Sequence, residues 1–216
     1  MAYGAGREVR NLGLALVLLA GPAAAEPVVI AALGDSLTAG YGLPPENGFV
    51  PQLQAWLTGH GADVELRNAG VSGDTTQGGL SRIGWVLADD VDAMVLALGA
   101  NDMLRGIDPS VARGNLDGIL SAAQEAGVEV LVIGIAAPAN YGADYQTEFN
   151  AIYPDLVEEY GALHGPDFLA PLLEKAQGSN IEAYLQADHL HPNAEGVKVI
   201  VEGLGPSVLE LIDRVE

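Results

Sequence analysis

Cysteine is absent from the 216 residues. No disulfide can form and no lipid-attachment cysteine exists, although this absence does not by itself assign a compartment. Basic residues are scarce: 9 Lys and Arg stand against 29 Asp and Glu, a formal net charge of −20. Phosphate backbones repel a chain this acidic, so nucleic acid is a poor partner. An anionic membrane surface is equally poor without screening. Such acidity fits a saline habitat, and solubility alone also accounts for it. Repeats, low-complexity tracts and interdomain linkers are missing, and the length suits one domain with a full core. About half of the residues are hydrophobic and 28 are glycine, the composition of a tightly turned α/β domain.

The first 25 residues stand apart. Arg7 and Arg10 flank a short n-region, and residues 12–20 form an apolar h-region too short to span a bilayer easily. Ala23, Ala24 and Ala25 supply the small-residue cleavage pattern. Residues 1–25 therefore read as a secretory signal peptide cut before Glu26; an uncleaved N-terminal anchor is the alternative. The mature domain, 26–216, is expected to be exported, periplasmic or secreted. It is expected to be monomeric, with no stable membrane insertion after cleavage.

From Pro27 onward, apolar strands alternate with amphipathic segments. Strands are expected at 28–33, 64–67, 93–98, 128–135 and 162–164. Helices are expected at 49–58, 77–87, 109–125, 145–160 and 194–212. In the first helix Leu53, Trp56 and Leu57 share one face. This alternation predicts a five-stranded parallel sheet with helices on both faces, the α/β/α three-layer class. The loops after the strands then share one edge, where α/β sheets bind ligands.

Polar motifs fall in those loops. Gly34-Asp35-Ser36-Leu37 follows the first strand. Ser36 is either a helix cap or a nucleophile in need of a base, an orienter and oxyanion donors. Gly73, in the glycine-rich turn after the second strand, can bring a backbone N–H close to a substrate. Asn101, in Gly99-Ala100-Asn101-Asp102, offers an amide donor, or else an Asx-turn. Asp188 and His191 stand three apart, a spacing that brings side chains together in a helical turn. The carboxylate could then hold the imidazole in the tautomer a general base requires. Because His189 precedes His191 by two, a zinc site is the competing reading of this stretch. No further ligand cluster accompanies it, so the metal reading ranks below the triad.

Taken together and in this order, the four blocks resemble the GDSL, or SGNH, hydrolase family. The resemblance covers nearly the whole mature chain. It looks nearest to the exported multifunctional thioesterase, lysophospholipase and arylesterase branch, as 73–76, 138–142 and 151–154 suggest. The resemblance implies a flavodoxin-like fold, no metal and no other cofactor. It implies Ser36 as nucleophile, His191 as base and Asp188 as its orienter. The oxyanion hole would be the N–H groups of Ser36 and Gly73 with the Asn101 amide. Thr38 stands where the Gly-x-Ser-x-Gly elbow would place its second glycine, which argues against the α/β-hydrolase fold. One departure is Ala136-Ala137 before Pro138, where relatives carry bulkier residues. Ala137 and Pro138 are expected to border the acyl site. The reaction implied is hydrolysis of small-molecule acyl esters and thioesters through an acyl-enzyme. The rivals are a carbohydrate O-deacetylase of the same fold and a periplasmic protein that binds a small anion or flavin without catalysis.

Overall fold

A computed structural model describes residues 1, 4, 26–177 and 180–215. Apart from Met1 and Gly4, the expected signal peptide lies outside the described residues. Five strands form one parallel sheet: β1 (Val28–Gly34), β2 (Val64–Gly70), β3 (Ala93–Ala97), β4 (Glu129–Val132) and β5 (Leu163–His164). Their spatial order is β2-β1-β3-β4-β5. The chain runs outward from β1 to β2, then crosses back to β3. This reversal leaves a crevice beyond the carboxyl ends of β1 and β3, where doubly wound sheets bind ligands.

The central strands are buried on both faces and correspondingly apolar. In β1, Val28, Ile30 and Ala32 face one core, while Ala31 and Leu33 face the other. The first core is closed by α2 (Phe49–Gly59), α7 (Ala170–Lys175) and α8 (Ala194–Val215). The second is closed by α3 (Thr76–Val86), α5 (Pro109–Ala126) and α6 (Ala143–Tyr160). In α8, Val197, Ile200, Val201, Leu204, Val208 and Leu211 follow the helical repeat on one buried stripe. Two further helices, α1 (Ser36–Ala39) and α4 (Ala100–Leu104), are short and sit at the carboxyl edge of the sheet. Among the described residues, no helix is long and apolar enough to cross a membrane.

The expected elements occur with shifted ends. β2 runs on to Gly70, and β4 stops at Val132 where the apolar pattern suggested 135. Residues 133–135 remain apolar because they are still inside the domain: Ile133 is 1% exposed. Ile133 still donates its N–H to the Leu96 carbonyl of β3 at 2.9 Å, but the strand itself ends at Val132, so their apolarity reflects burial more than strand pairing. The short helices α1, α4 and α7 have too few turns to show a periodic stripe and were not expected.

Candidate active site

β1 delivers Ser36 to the sheet edge through a turn that only glycine permits. A Cβ on Gly34 would come within 2.0 Å of the Thr38 hydroxyl and 2.9 Å of the Ala97 carbonyl oxygen. Ser36 is then the first residue of α1, with Asp35 as its N-cap: the Asp35 carboxylate accepts the Leu37 N–H at 3.0 Å.

The far end of the chain supplies the partners of Ser36. The His191 Nε2 lies 2.9 Å from the Ser36 Oγ, and its Nδ1 lies 2.6 Å from an oxygen of Asp188. The other Asp188 oxygen accepts the N–H groups of Leu190 and His191, each at 3.0 Å. The three-residue spacing thus works through a tight turn in which the carboxylate grips both backbone and ring. These contacts, the ring foremost, pull the Asp188 carboxyl down to about 2. An ionised Asp188 accepts a proton-bearing Nδ1, which leaves the lone pair of Nε2 facing the serine. Pro192 bridges back to Leu185, and the Gln186 amide donates to the carbonyls of Tyr41 and Pro192. The loop carrying His191 is thereby tied to the loop after α1. Asn193, which caps the N–H groups of Glu195 and Gly196, joins it to α8.

Two other loops complete the edge. Gly73 adopts φ +84, a left-handed conformation that favours glycine, and its carbonyl accepts from Arg105 at 2.6 Å. Arg82 pairs with Asp74 at 2.7 Å and also donates to the carbonyls of Ala69 and Gly34, binding the ends of β1 and β2 together. Asn101 projects from α4, and its amide donates to Asp35 at 3.2 Å. The next residue, Asp102, is fully buried and takes both the N–H and the hydroxyl of Thr76, at 2.8 and 2.6 Å. Asn115 donates to the same hydroxyl at 2.9 Å. This network locks α4 onto the start of α3, so the Gly73 and Asn101 loops are held in fixed relation. Burial pushes the Asp35 carboxyl above its ordinary value, against the opposing pull of the Leu37 N–H, Asn101 and His191.

Ser36, Gly73, Asn101 and His191 line one cavity of about 240 Å³. Its walls include Met103, Leu104, Ile135, Leu169 and Leu190. Asp188 stands behind His191. The expectation for Ala137 needs correction: its side chain is 1% exposed and packed in the second core, and neither it nor the exposed Pro138 borders the cavity. The Asn150 amide clamps the Ala137 N–H at 2.7 Å, which turns that residue inward. Ile135, two residues earlier, is the member of this loop that reaches the cavity. The zinc alternative is not favoured by the geometry either. The His189 ring turns away to Glu182, while the His191 ring faces Ser36 and Asp188. Among the described residues, no group of three or more His, Cys, Asp or Glu gathers as a metal ion would require. The sequence reading passed over Asp35, Tyr41 and the apolar wall. The wall residues come from four separate segments, and no local pattern joins them.

Residues 32–199 match the family described as the GDSL-like Lipase/Acylhydrolase family. The chain is 36% identical over 195 residues to an arylesterase of Vibrio mimicus, covering 90% of this chain and 94% of that one. It is 35% identical over 203 residues to the thioesterase 1/protease 1/lysophospholipase L1 of Escherichia coli K12, covering 93% and 92%. The crystal structure of AlinE4, described as an SGNH-hydrolase family esterase, superposes with a TM-score of 0.70 at 42% identity, over 87% of this chain and 98% of that one.

Proposed function

We propose, from the premise that the chain belongs to the GDSL-like Lipase/Acylhydrolase family, that Ser36, His191 and Asp188 carry out its chemistry. The protein is a hydrolase of carboxylic esters and thioesters, and its substrate is a small-molecule acyl compound. The observation that carries the assignment is the unbroken chain from Ser36 through His191 to Asp188, at 2.9 and 2.6 Å.

In this reading, Ser36 Oγ attacks the acyl carbonyl while His191 Nε2 takes its proton. Asp188, ionised throughout, keeps the Nδ1–H tautomer and balances the imidazolium charge. The N–H groups of Ser36 and Gly73, with the Asn101 amide, meet the negative charge that grows on the carbonyl oxygen. His191 then gives its proton to the departing alcohol or thiol. Water, activated by the same ring, attacks the acyl-enzyme and frees the acid and Ser36. The apolar wall from Met103 to Leu190 supports an acyl chain as the group bound beside the serine. We further infer that residues 1–25 direct export, which places the mature enzyme in the periplasm or outside the cell.

A fluorophosphonate probe tests the nucleophile. Wild-type protein is expected to gain one adduct on Ser36, seen by peptide mass spectrometry, and Ser36→Ala to gain none and to lose turnover. An adduct elsewhere, or retained hydrolysis by purified Ser36→Ala, overturns the assignment. A series of nitrophenyl esters of rising chain length, beside a lysophospholipid and an acyl-CoA, then ranks the substrates.

A further inference from the structure

The carboxylate next to the nucleophile takes no part in the steps above. Asp35 is 2% exposed and lies on the cavity wall. One of its oxygens accepts the Leu37 N–H at 3.0 Å, and the other accepts an N–H of the Asn101 amide at 3.2 Å. Burying a carboxylate is costly, and capping one helical turn does not require it, because serine or asparagine caps equally well. The contact with Asn101 supplies the reason.

An asparagine amide is nearly symmetric in shape but not in chemistry: one arm donates and the other accepts. Were the arms exchanged, a carbonyl dipole would face the oxyanion and repel it. The α4 backbone is anchored through Asp102 and Thr76, but that anchor does not decide which arm points where. Among the described residues, Asp35 makes the one hydrogen bond to the Asn101 side chain. An ionised carboxylate only accepts, so it can hold only the NH2 arm. One N–H of that nitrogen goes to Asp35, and the second is left for the cavity.

We propose that Asp35 is a positioning residue that selects the donor arm of Asn101 for the oxyanion and turns the carbonyl arm away. The inference rests on the reading of Asn101 as an oxyanion donor.

Asp35→Asn preserves shape, but with its one oxygen held by the Leu37 N–H its NH2 faces Asn101 and favours the carbonyl arm there. With a short nitrophenyl ester, its kcat is expected to fall by on the order of tenfold or more, with KM little changed, since the amide acts on transition-state charge. Asn101→Ala is expected to lose about a hundredfold to a thousandfold. The double variant should lose no more than Asn101→Ala alone, because residues that act as a unit are not additive. Asp35→Ser keeps a helix cap but is too short to reach the amide, so it should show the same kcat loss; it also carries the test if Asp35→Asn does not fold. Losses that multiply in the double variant, a change confined to KM, or wild-type kcat in Asp35→Ser overturn the proposal. If Asn101→Ala itself is unimpaired, the oxyanion reading fails and takes this inference with it. Failure of the inference alone is distinguishable, since Asn101→Ala would then be impaired while the Asp35 variants were not.

Discussion

Asp188 and its two neighbouring histidines carry opposite expectations within four residues. Asp188→Asn keeps the shape of the turn but lets the side chain donate to the ring, which favours the wrong imidazole tautomer. The expected loss in kcat is on the order of ten-thousandfold, read from steady-state ester hydrolysis. The same variant should alter acid stability. The folded carboxyl sits at about 2, below the unfolded value of about 3.9. Its contribution is therefore present above the unfolded value and is lost as pH falls through about 2. Urea unfolding should show Asp188→Asn losing less stability than wild type between pH about 4 and about 2. His189 behaves differently because it faces Glu182, which raises its pKa. His191→Ala is expected to be nearly inactive, His189→Ala to keep most activity, and EDTA to change neither wild type nor His189→Ala. Equal loss from both histidine variants, with inhibition by EDTA that zinc reverses, would restore the metal reading.

Among elements, the segment between β4 and α6 separates what a sequence can and cannot tell. The strand–helix alternation revealed the sheet because burial on two faces leaves an uninterrupted apolar run. Ser36, Gly73, Asn101, Asp188 and His191 stood out because each lies in a polar block directly after a strand or before α8, and the structure gathers these blocks at one edge. Ala137 was misjudged because its neighbours in sequence do not reveal that Asn150, on α6, pulls its backbone inward. Likewise β4 and its coil extension share one apolar composition, and only strand pairing distinguishes them. Ala137→Leu should therefore overpack the second core, lowering stability by about 1–3 kcal/mol, without changing acyl preference. Ile135→Ala should extend activity toward longer acyl chains, because it removes bulk at the cavity wall. A chain-length profile of nitrophenyl esters, run beside thermal melts, decides; a shifted profile in folded Ala137→Leu would return that residue to the acyl site.

For the whole molecule, net charge dominates. A formal charge of −20 is borne, among the described residues, with few compensating pairs, most of them exposed, such as Arg67 with Glu65 and Asp90. Exposed pairs of this kind are worth about 0–1 kcal/mol each, so screening removes more repulsion than attraction. Between about 10 mM salt, where the Debye length is about 30 Å, and 1 M, where it is about 3 Å, the melting temperature should rise. Calorimetry in sodium chloride and choline chloride checks this, and a fall in both salts would mean that attractive pairs prevail. The order of the chain has a different consequence. Ser36 and His191 meet across 155 residues of sequence, and the loop bearing His191 is fastened to α8 through Asn193. A growing chain can complete β1 and expose its serine long before any imidazole reaches it. Hydrolytic competence therefore waits until His191 has been made and folded back, and a product truncated before residue 191 carries the attacking hydroxyl without its imidazole base.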